Sequence, residues 1–496
     1  MDKIYDEAAI ADALNLVPSA LFINGTYIAA SSGETFCIIN PANGNVVTDV
    51  PLANADDVDL TVKAARQAFN KGYWRRLAPA QRKKILLKFS DLMVENKETL
   101  GLLNTLCMGK PITSAINGEV PSAASVIAYA AEAIDKFYGE VAPTAPDHIN
   151  ILLNQPLGVV AAIVPWNYPL SMAAWKIGPA LATGNSVILK PAEQSPLSAL
   201  FLGKLANEAG IPAGVLNILP GDGPTTGQSL GLHPDIDCIT FTGSTEVGKK
   251  IMGYAAQSNL KRVSLECGGK SPHIVLADCA DIAKAADEVA KGIFTNSGQV
   301  CSAGSRLILE KSIRQPFLAE LEKAAKKFVP GDPLNPRTNM GPLVSSDQLK
   351  KAFKAIDTAI AEGGTLFFGG TQATTNQPGY FLQPTIIIDV KNSHTLAQEE
   401  VFGPVLAVID AEDFDDALKI ANDTIYGLAA GIWTSSNAKA LKAMENLHAG
   451  IVWVNCYEVG SQASPFGGFK QSGFGRDKSV HALEKYVDIK SCWVAA

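Results

Sequence analysis

What most constrains the fold of this chain is a change of periodicity near residue 157. From there, short continuous apolar runs alternate with helical stretches. Residues 157–164, 187–189, 215–219 and 239–241 read as strands buried on both faces. Residues 172–181, 197–209 and 246–255, lying between or after them, read as helices. Strands that are apolar throughout and separated by helices belong in a parallel, doubly wound sheet, because helices have to cover both of its faces. A second alternating series begins near His273 and runs to about Val454, with strands at 274–276, 307–309 and 405–409. Ahead of both, the reading is strands followed by amphipathic helices. Val58, Val62, Ala65 and Phe69 share one helical face, as do Ile85, Phe89 and Leu92 behind Pro79, a residue suited to a first helical turn. Residues 484–493 return to β-prone types and are expected to pair with another element or another subunit.

With 496 residues there is chain enough for two to four domains. A content of 47% hydrophobic and 18% charged residues excludes a disordered or collagen-like chain. Lys and Arg number 42 against 49 Asp and Glu, a balance of −7 that gives no electrostatic reason to expect nucleic acid or an anionic membrane. The eight cysteines are dispersed, with no Cys-x-x-Cys pair and no Cys/His cluster at zinc spacing, so neither a disulfide framework nor a metal site is expected. Residues 1–7 carry no basic segment followed by an apolar one, so a secretory signal is not expected and a reducing, cytoplasmic setting is. Residues 149–175 contain no charge and are long enough to span a bilayer, but prolines at 156, 165 and 169 would break too many backbone hydrogen bonds in lipid.

Two glycine-bearing turns follow successive strands: Gly221-Asp222-Gly223 through Gly227, and Phe241-Thr242-Gly243-Ser244-Thr245-Glu246-Val247-Gly248. A strand that turns into a helix there can offer backbone amides and a helix dipole to a pyrophosphate, although neither turn is a true Gly-x-Gly-x-x-Gly and tight-turn glycine is the alternative. Lys190 and Glu193, just past the strand at 187–189, could clasp a ribose through its hydroxyls, and the carboxylate would repel a 2′-phosphate; a solvated loop pair is the plainer reading.

Three further residues could carry chemistry. Cys301 sits in a turn flanked by Gly298 and Gly304, where small neighbours permit close approach of a substrate. Glu266 lies between an apolar strand and Gly268-Gly269, awkward for a surface charge but suited to a desolvated base. Asn167, between Pro165 and Pro169, is in a rigid turn that could aim its amide at an oxyanion.

Along essentially its whole length the chain resembles the aldehyde dehydrogenase superfamily. The motifs are residues 165–169, 190–193, 241–248, 265–270 and 298–301, Gln398-Glu399-Glu400-Val401-Phe402-Gly403-Pro404, and Pro465-Phe466-Gly467-Gly468-Phe469-Lys470. The C-terminal stretch 473–485 is similar to the γ-glutamyl-γ-aminobutyraldehyde and guanidinobutyraldehyde branch. The resemblance implies two doubly wound parallel-sheet domains plus a small β oligomerisation element. Residues 1–137 and 157–268 would bind NAD, 269–472 would form the catalytic domain, and 138–156 with 473–496 would build a homodimer or homotetramer.

It also implies roles. Cys301 would be the nucleophile, with Asn167 and the Cys301 N–H holding the thiohemiacetal oxyanion. Glu266 would activate the water that hydrolyses the thioester, and Lys176 and Asp477 would relay its proton. NAD, preferred over NADP, would lie along Ile163, Pro165, Trp166, Gly223, Gly227, Phe241, Gly243, Ser244, Val247 and Cys267. Lys190 and Glu193 would hold the adenosine ribose and Glu400 the nicotinamide ribose, with Phe402 packed against the ring. Tyr168, Trp175, Tyr457 and Phe466 would line the substrate tunnel, with Glu119 and Glu458 as carboxylate anchors for an aminoaldehyde. Cys107 and Ser461 stand where relatives carry acids, which leaves a neutral aldehyde open as substrate. A CoA-acylating enzyme is disfavoured by Glu266, and a non-catalytic binding protein by the intact Cys301, Glu266 and Asn167.

Overall fold

The computed structural model describes residues 5–495; the first four residues of the segment read for a secretory signal lie outside the described residues. A short helix, Glu7–Asn15, precedes the N-terminal strands that were expected to come first. Two large sheets carry the fold. The first runs in the order Gly473–Phe474, Arg262–Glu266, Cys238–Thr242, Val159–Ile163, Ser186–Lys190, Leu216–Ile218, Leu21–Ile23, Thr26–Ile28. Its five central strands are parallel and its edges antiparallel. Alternate side chains of Val159–Ile163 face opposite layers. Val160 and Ala162 pack with the helices Pro169–Ala182 and Leu197–Ala209, whereas Val159, Ala161 and Ile163 pack with Val58, Val62 and Ile251. That two-sided burial is why these strands are apolar without alternation.

After Leu216–Ile218 the chain returns to the opposite side of Val159–Ile163 to form Cys238–Thr242. The strand order reverses there, leaving a crevice beyond the carboxyl ends in which such sheets bind ligands.

The second sheet has the order Thr365–Phe368, Thr385–Ile388, Val405–Ala411, Arg306–Glu310, Pro272–Val275, Ala429–Trp433, Ile451–Val454, parallel except for its first strand. A third, of three antiparallel strands, pairs Val487–Ala495 with His148–Pro156 over nine residues, and Glu140–Ala142 with the latter. Residues 473–495, expected to form one element, are divided between two sheets. Gly473–Phe474 belongs to the first sheet, against Leu265 and Glu266, and the last strand starts at Val487, after the helix His481–Glu484. The uncharged stretch 149–175 divides into two strands, a turn and the start of a helix, and no helix among the described residues is long and apolar enough to cross a membrane.

Candidate active site

Cys301 owes its position to an unusual backbone. Beyond the helix Ile282–Phe294, Asn296, Ser297 and Gly298 adopt φ of 51°, 56° and 71° in succession. Left-handed conformations cost non-glycine residues about 1–3 kcal/mol each and persist only where surroundings hold them. Here Ser297 Oγ donates to the Gly341 carbonyl at 2.8 Å, Asn296 Nδ2 to the Asn167 carbonyl at 3.2 Å, and the Val344 N–H to Gln299 Oε1 at 2.9 Å. A side chain at Gly298 would put its Cβ 2.2 Å from the Gly403 backbone, so only glycine lets this turn meet the Glu400–Gly403 loop.

Glu266 ends the strand Arg262–Glu266 and pairs with Thr242 and Gly473. In the turn that follows, a Cβ at Gly268 would lie 2.2 Å from Glu400 Oε2, and one at Gly269 would lie 2.5 Å from the Cys301 carbonyl oxygen. Two glycines thus bring base, nucleophile and the Glu400 loop together. The Glu266 carboxylate is buried and neither oxygen has a conventional hydrogen-bond partner among the described residues. Burial pushes its pKa up to about 8, with Lys176 opposing and the charges of Asp477 and Glu400 adding. Burial also holds the Cys301 thiol well above its ordinary pKa, reinforced by Glu266, Glu400 and Glu458. The resting nucleophile is a neutral thiol among carboxylates, and a cation placed beside it would favour the thiolate.

Asn167 is buried and donates through Nδ2 to the Gln299 carbonyl at 2.9 Å. An amide nitrogen carries two N–H groups, so one remains for an oxyanion. Lys176 Nζ meets Asp477 Oδ2 at 2.5 Å, both side chains buried. The other oxygen of Asp477 takes Lys485 Nζ. Burial would raise Asp477, but the two lysines outweigh it and hold the carboxylate below its usual range. Lys485 escaped the sequence reading: it meets Asp477 only because the chain bends through Lys478 and Ser479, both at positive φ, into the helix His481–Glu484.

A cavity of about 300 Å³ opens onto Cys301, lined by Tyr168, Met172, Trp175, Trp453, Glu458 and Phe466 among others. Trp175 and Phe466 pack at 4.9 Å between ring centroids. Glu458 is the one carboxylate among its lining residues; it accepts from Ser302 Oγ at 2.7 Å, and burial raises its pKa.

Two expected substrate residues have other roles. Glu119 is engaged in a buried ion pair with Lys110 and accepts from the Leu170 N–H at 3.0 Å and the Ser171 N–H at 3.3 Å, so its charge is neutralised before any substrate arrives. The pair also sets Lys110 Nζ 3.6 Å from the Tyr168 ring centroid. Tyr457 is buried outside the cavity lining. Its hydroxyl donates to the Ser302 carbonyl at 2.8 Å and its ring stacks on His273 at 4.3 Å, so it supports the loop after Cys301. Cys107 lies in the apolar core and is not among the cavity's lining residues.

On the crevice side, Ser244 caps the helix Thr245–Gln257 by accepting from the Val247 N–H, and Val247 is exposed at that helix start. Gly243 permits close packing, since a Cβ there would meet the Phe241 ring at 2.5 Å. Gly223 faces open space, whereas Gly227 packs near Lys190. Ile163 and Phe241 are buried at the strand ends, with Pro165 and Trp166 half-exposed after them. Lys190 is buried, donates to the Pro191 carbonyl at 3.2 Å, and lies 3.9 Å from Glu193, whose side chain reaches solvent. Glu400 accepts from the Gly269 N–H at 3.0 Å, and the Phe402 ring stands edge-on to Trp166 at 5.3 Å. The Cys267 thiol is buried near Gly248 and its N–H donates to the Ser472 carbonyl. A capped helix start, an open glycine, a buried lysine and two carboxylates fit a dinucleotide.

The crevice at a strand-order reversal, with a thiol and a buried carboxylate brought together by one turn, fits an oxidoreductase that binds a dinucleotide. Residues 27–492 match the aldehyde dehydrogenase family, and the chain belongs to it. It is 47% identical over 479 residues to the NADP/NAD-dependent aldehyde dehydrogenase PuuC of Escherichia coli (strain K12), covering 97% of this chain and 96% of that protein. Among solved structures it resembles the P. syringae indole-3-acetaldehyde dehydrogenase AldA in complex with NAD+ and IAA, with a TM-score of 0.97, 49% identity and 99% of both chains covered. It also resembles the γ-glutamyl-γ-aminobutyraldehyde dehydrogenase from Burkholderia cenocepacia J2315, with a TM-score of 0.95, 49% identity, and 98% of this chain and 99% of that one covered. The protein is an oxidoreductase acting on aldehydes.

Proposed function

We propose that this enzyme oxidises an ω-amino or γ-glutamylamino aldehyde to its carboxylic acid, using NAD in preference to NADP. The observation that carries the reading is Cys301 on a cavity whose lining includes aromatic side chains and a single carboxylate, Glu458, with Asn167 tied to the Cys301 loop and the buried Glu266 carboxylate beside the thiol. Cys301 adds to the aldehyde carbon, and the oxyanion of the thiohemiacetal is held by the Asn167 amide and the Cys301 N–H. NAD, when bound, would supply the hydride acceptor. Lys190 and Glu193 would hold the adenosine ribose, Ser244 and Trp166 would flank the pyrophosphate, and Glu400 would hold the second ribose. Once Cys301 carries the thioester, Glu266 takes a proton from water, which adds to the carbonyl and releases the acid. Lys176 and Asp477 carry that proton away. The Glu193 carboxylate disfavours a 2′-phosphate, although the name of the Escherichia coli relative includes both cofactors.

The exposed apolar side chains Val141, Ile149, Ile489 and Trp493 on the three-stranded sheet support a subunit interface, in a homodimer or homotetramer. The enzymatic reading is tested by kcat/KM for hexanal, 4-aminobutanal, 4-guanidinobutanal and the γ-glutamylated aldehyde, each with NAD and with NADP. Cys301→Ala should abolish NADH formation. Glu458→Gln should lower kcat/KM roughly tenfold or more for the amino aldehydes while sparing hexanal, in line with the loss of a hydrogen bond to a charged group. Equal losses for all four would exclude the anchor.

A further inference from the structure

The buried Lys176–Asp477 pair does not end at Asp477. The Asp477 carboxylate is forked: Oδ2 meets Lys176 Nζ at 2.5 Å, and Oδ1 meets Lys485 Nζ. Side-chain exposure rises along this row, from 0% at Lys176 to 2% at Asp477 and 9% at Lys485. The row therefore leads from beside Glu266 towards solvent. The backbone fixes it, because Phe466 and Asp477 exchange two N–H to carbonyl bonds at 2.8 and 2.7 Å, and the Ser479 N–H donates to the Gln462 carbonyl at 2.7 Å. Besides the two members of the fork, the groups that face Lys485 are Cys238 and Tyr486, whose ring centroid is 5.2 Å from Nζ and whose hydroxyl donates to Thr240 Oγ1 at 3.2 Å.

We propose that Lys485 is the outlet through which the proton taken from the hydrolytic water leaves the buried site, acting through Asp477 and Lys176. This rests on the reading of Glu266 as the deacylation base. The water O–H bond breaks as its oxygen bonds to the thioester carbonyl and the proton goes to Glu266; the bond from the carbonyl carbon to Cys301 Sγ then breaks, releasing the acid and the Cys301 thiolate. Lys176 passes one ammonium proton to Asp477 and receives the proton from Glu266. Lys485 releases one ammonium proton to bulk water and receives the one on Asp477. All four groups return to their starting state, with one proton exported.

Two features favour this direction. Burial, against the pull of Asp477 and with the repulsion of Lys176, brings Lys485 down to about 8, so this lysine can release a proton near the working pH. The arrangement also places the better-solvated lysine outermost.

The test uses the full-length enzyme with Lys485→Arg and Lys485→Met, following the NADH burst and acyl-enzyme decay separately at pH 7.0 to 9.0 by rapid quench, with and without imidazole or a small primary amine. Arginine keeps the charge that pairs with Asp477 but does not release a proton in this range. Both variants should keep the burst and slow acyl-enzyme decay roughly tenfold, less than the 10²–10⁴ expected for losing a base outright. Added buffer should restore the rate. Lys485→Arg decaying at the wild-type rate would show that pairing with Asp477 is sufficient and would overturn the proposal, as would slow decay that buffer cannot restore. Glu266→Gln runs beside them: wild-type decay in that variant removes the base reading itself, independently of Lys485.

Discussion

The Asn167 side chain donates to the Gln299 carbonyl, 2.9 Å away and two residues before Cys301. Asn167 is thereby fastened to the Cys301 loop, and in the proposed mechanism its amide would meet the oxyanion without reorganisation. Asn167→Ala should lower kcat by roughly 10²–10³ with little change in KM for NAD, since one preorganised donor of this kind is worth about 2.7–4 kcal/mol. Steady-state kinetics with a saturating aldehyde checks it; a loss appearing only in KM would mean the amide serves binding.

Glu266 sets the pH dependence. Its pKa is raised to about 8, and a base works only when ionised, so deacylation should be slow below that value, rise through it and level off above. At pH 7 about a tenth of the molecules would carry the ionised base. Acyl-enzyme decay measured from pH 6 to 10 should show this single rising limb, and Glu266→Gln should remove it.

The two glycines after Cys267 should respond differently to alanine. At position 268 the clash is with the Glu400 carboxylate tip, which can swing away; at position 269 it is with the Cys301 backbone carbonyl, which cannot without moving the nucleophile. Gly268→Ala should mainly raise KM for NAD, and Gly269→Ala should mainly lower kcat. Kinetics on both variants with one aldehyde distinguishes them.

Breaking the Lys110–Glu119 pair should damage the fold more than the chemistry. Both side chains are buried, and removing one partner of a buried pair leaves a charge uncompensated, at a cost of about 3–5 kcal/mol. Glu119→Ala should therefore lower the thermal midpoint sharply, and Lys110→Met combined with Glu119→Leu should recover part of it. Recovery stays incomplete because the Leu170 and Ser171 N–H groups lose their acceptor. Differential scanning calorimetry of the three proteins tests the order.

Glu193 should govern the choice of nicotinamide. Its side chain is half-exposed, so solvent screens its repulsion of a 2′-phosphate to about 1 kcal/mol. Glu193→Ser should raise kcat/KM with NADP relative to NAD roughly fivefold, with Lys190 then free to meet the phosphate. An unchanged ratio would remove Glu193 from the selection.

The parallel strands of both sheets were legible in the chain because burial on two faces demands unbroken apolar runs, and Val159–Ile163 and Cys238–Thr242 carry that demand in every residue. The three chemical residues were legible for a related reason. A charge, an amide and a thiol set among glycine and proline break the local pattern, and such breaks mark sites. Neither signal exists for contacts made at long range. Glu119 reads as a free carboxylate until Lys110 and the start of the helix Pro169–Ala182 close on it, and Tyr457 reads as a tunnel aromatic until its hydroxyl finds the Ser302 carbonyl. Nothing in the stretch 473–485 sets Lys485 apart until a bend through two left-handed residues lays it against Asp477. The amino-acid sequence by itself determined the strands and the glycine turns and singled out Cys301, Glu266 and Asn167 as breaks in the local pattern, since these depend on local conformation and burial. The tertiary structure alone decided which carboxylates stay free and which are neutralised, because an ion pair is defined by the distance between groups that the chain brings together from afar.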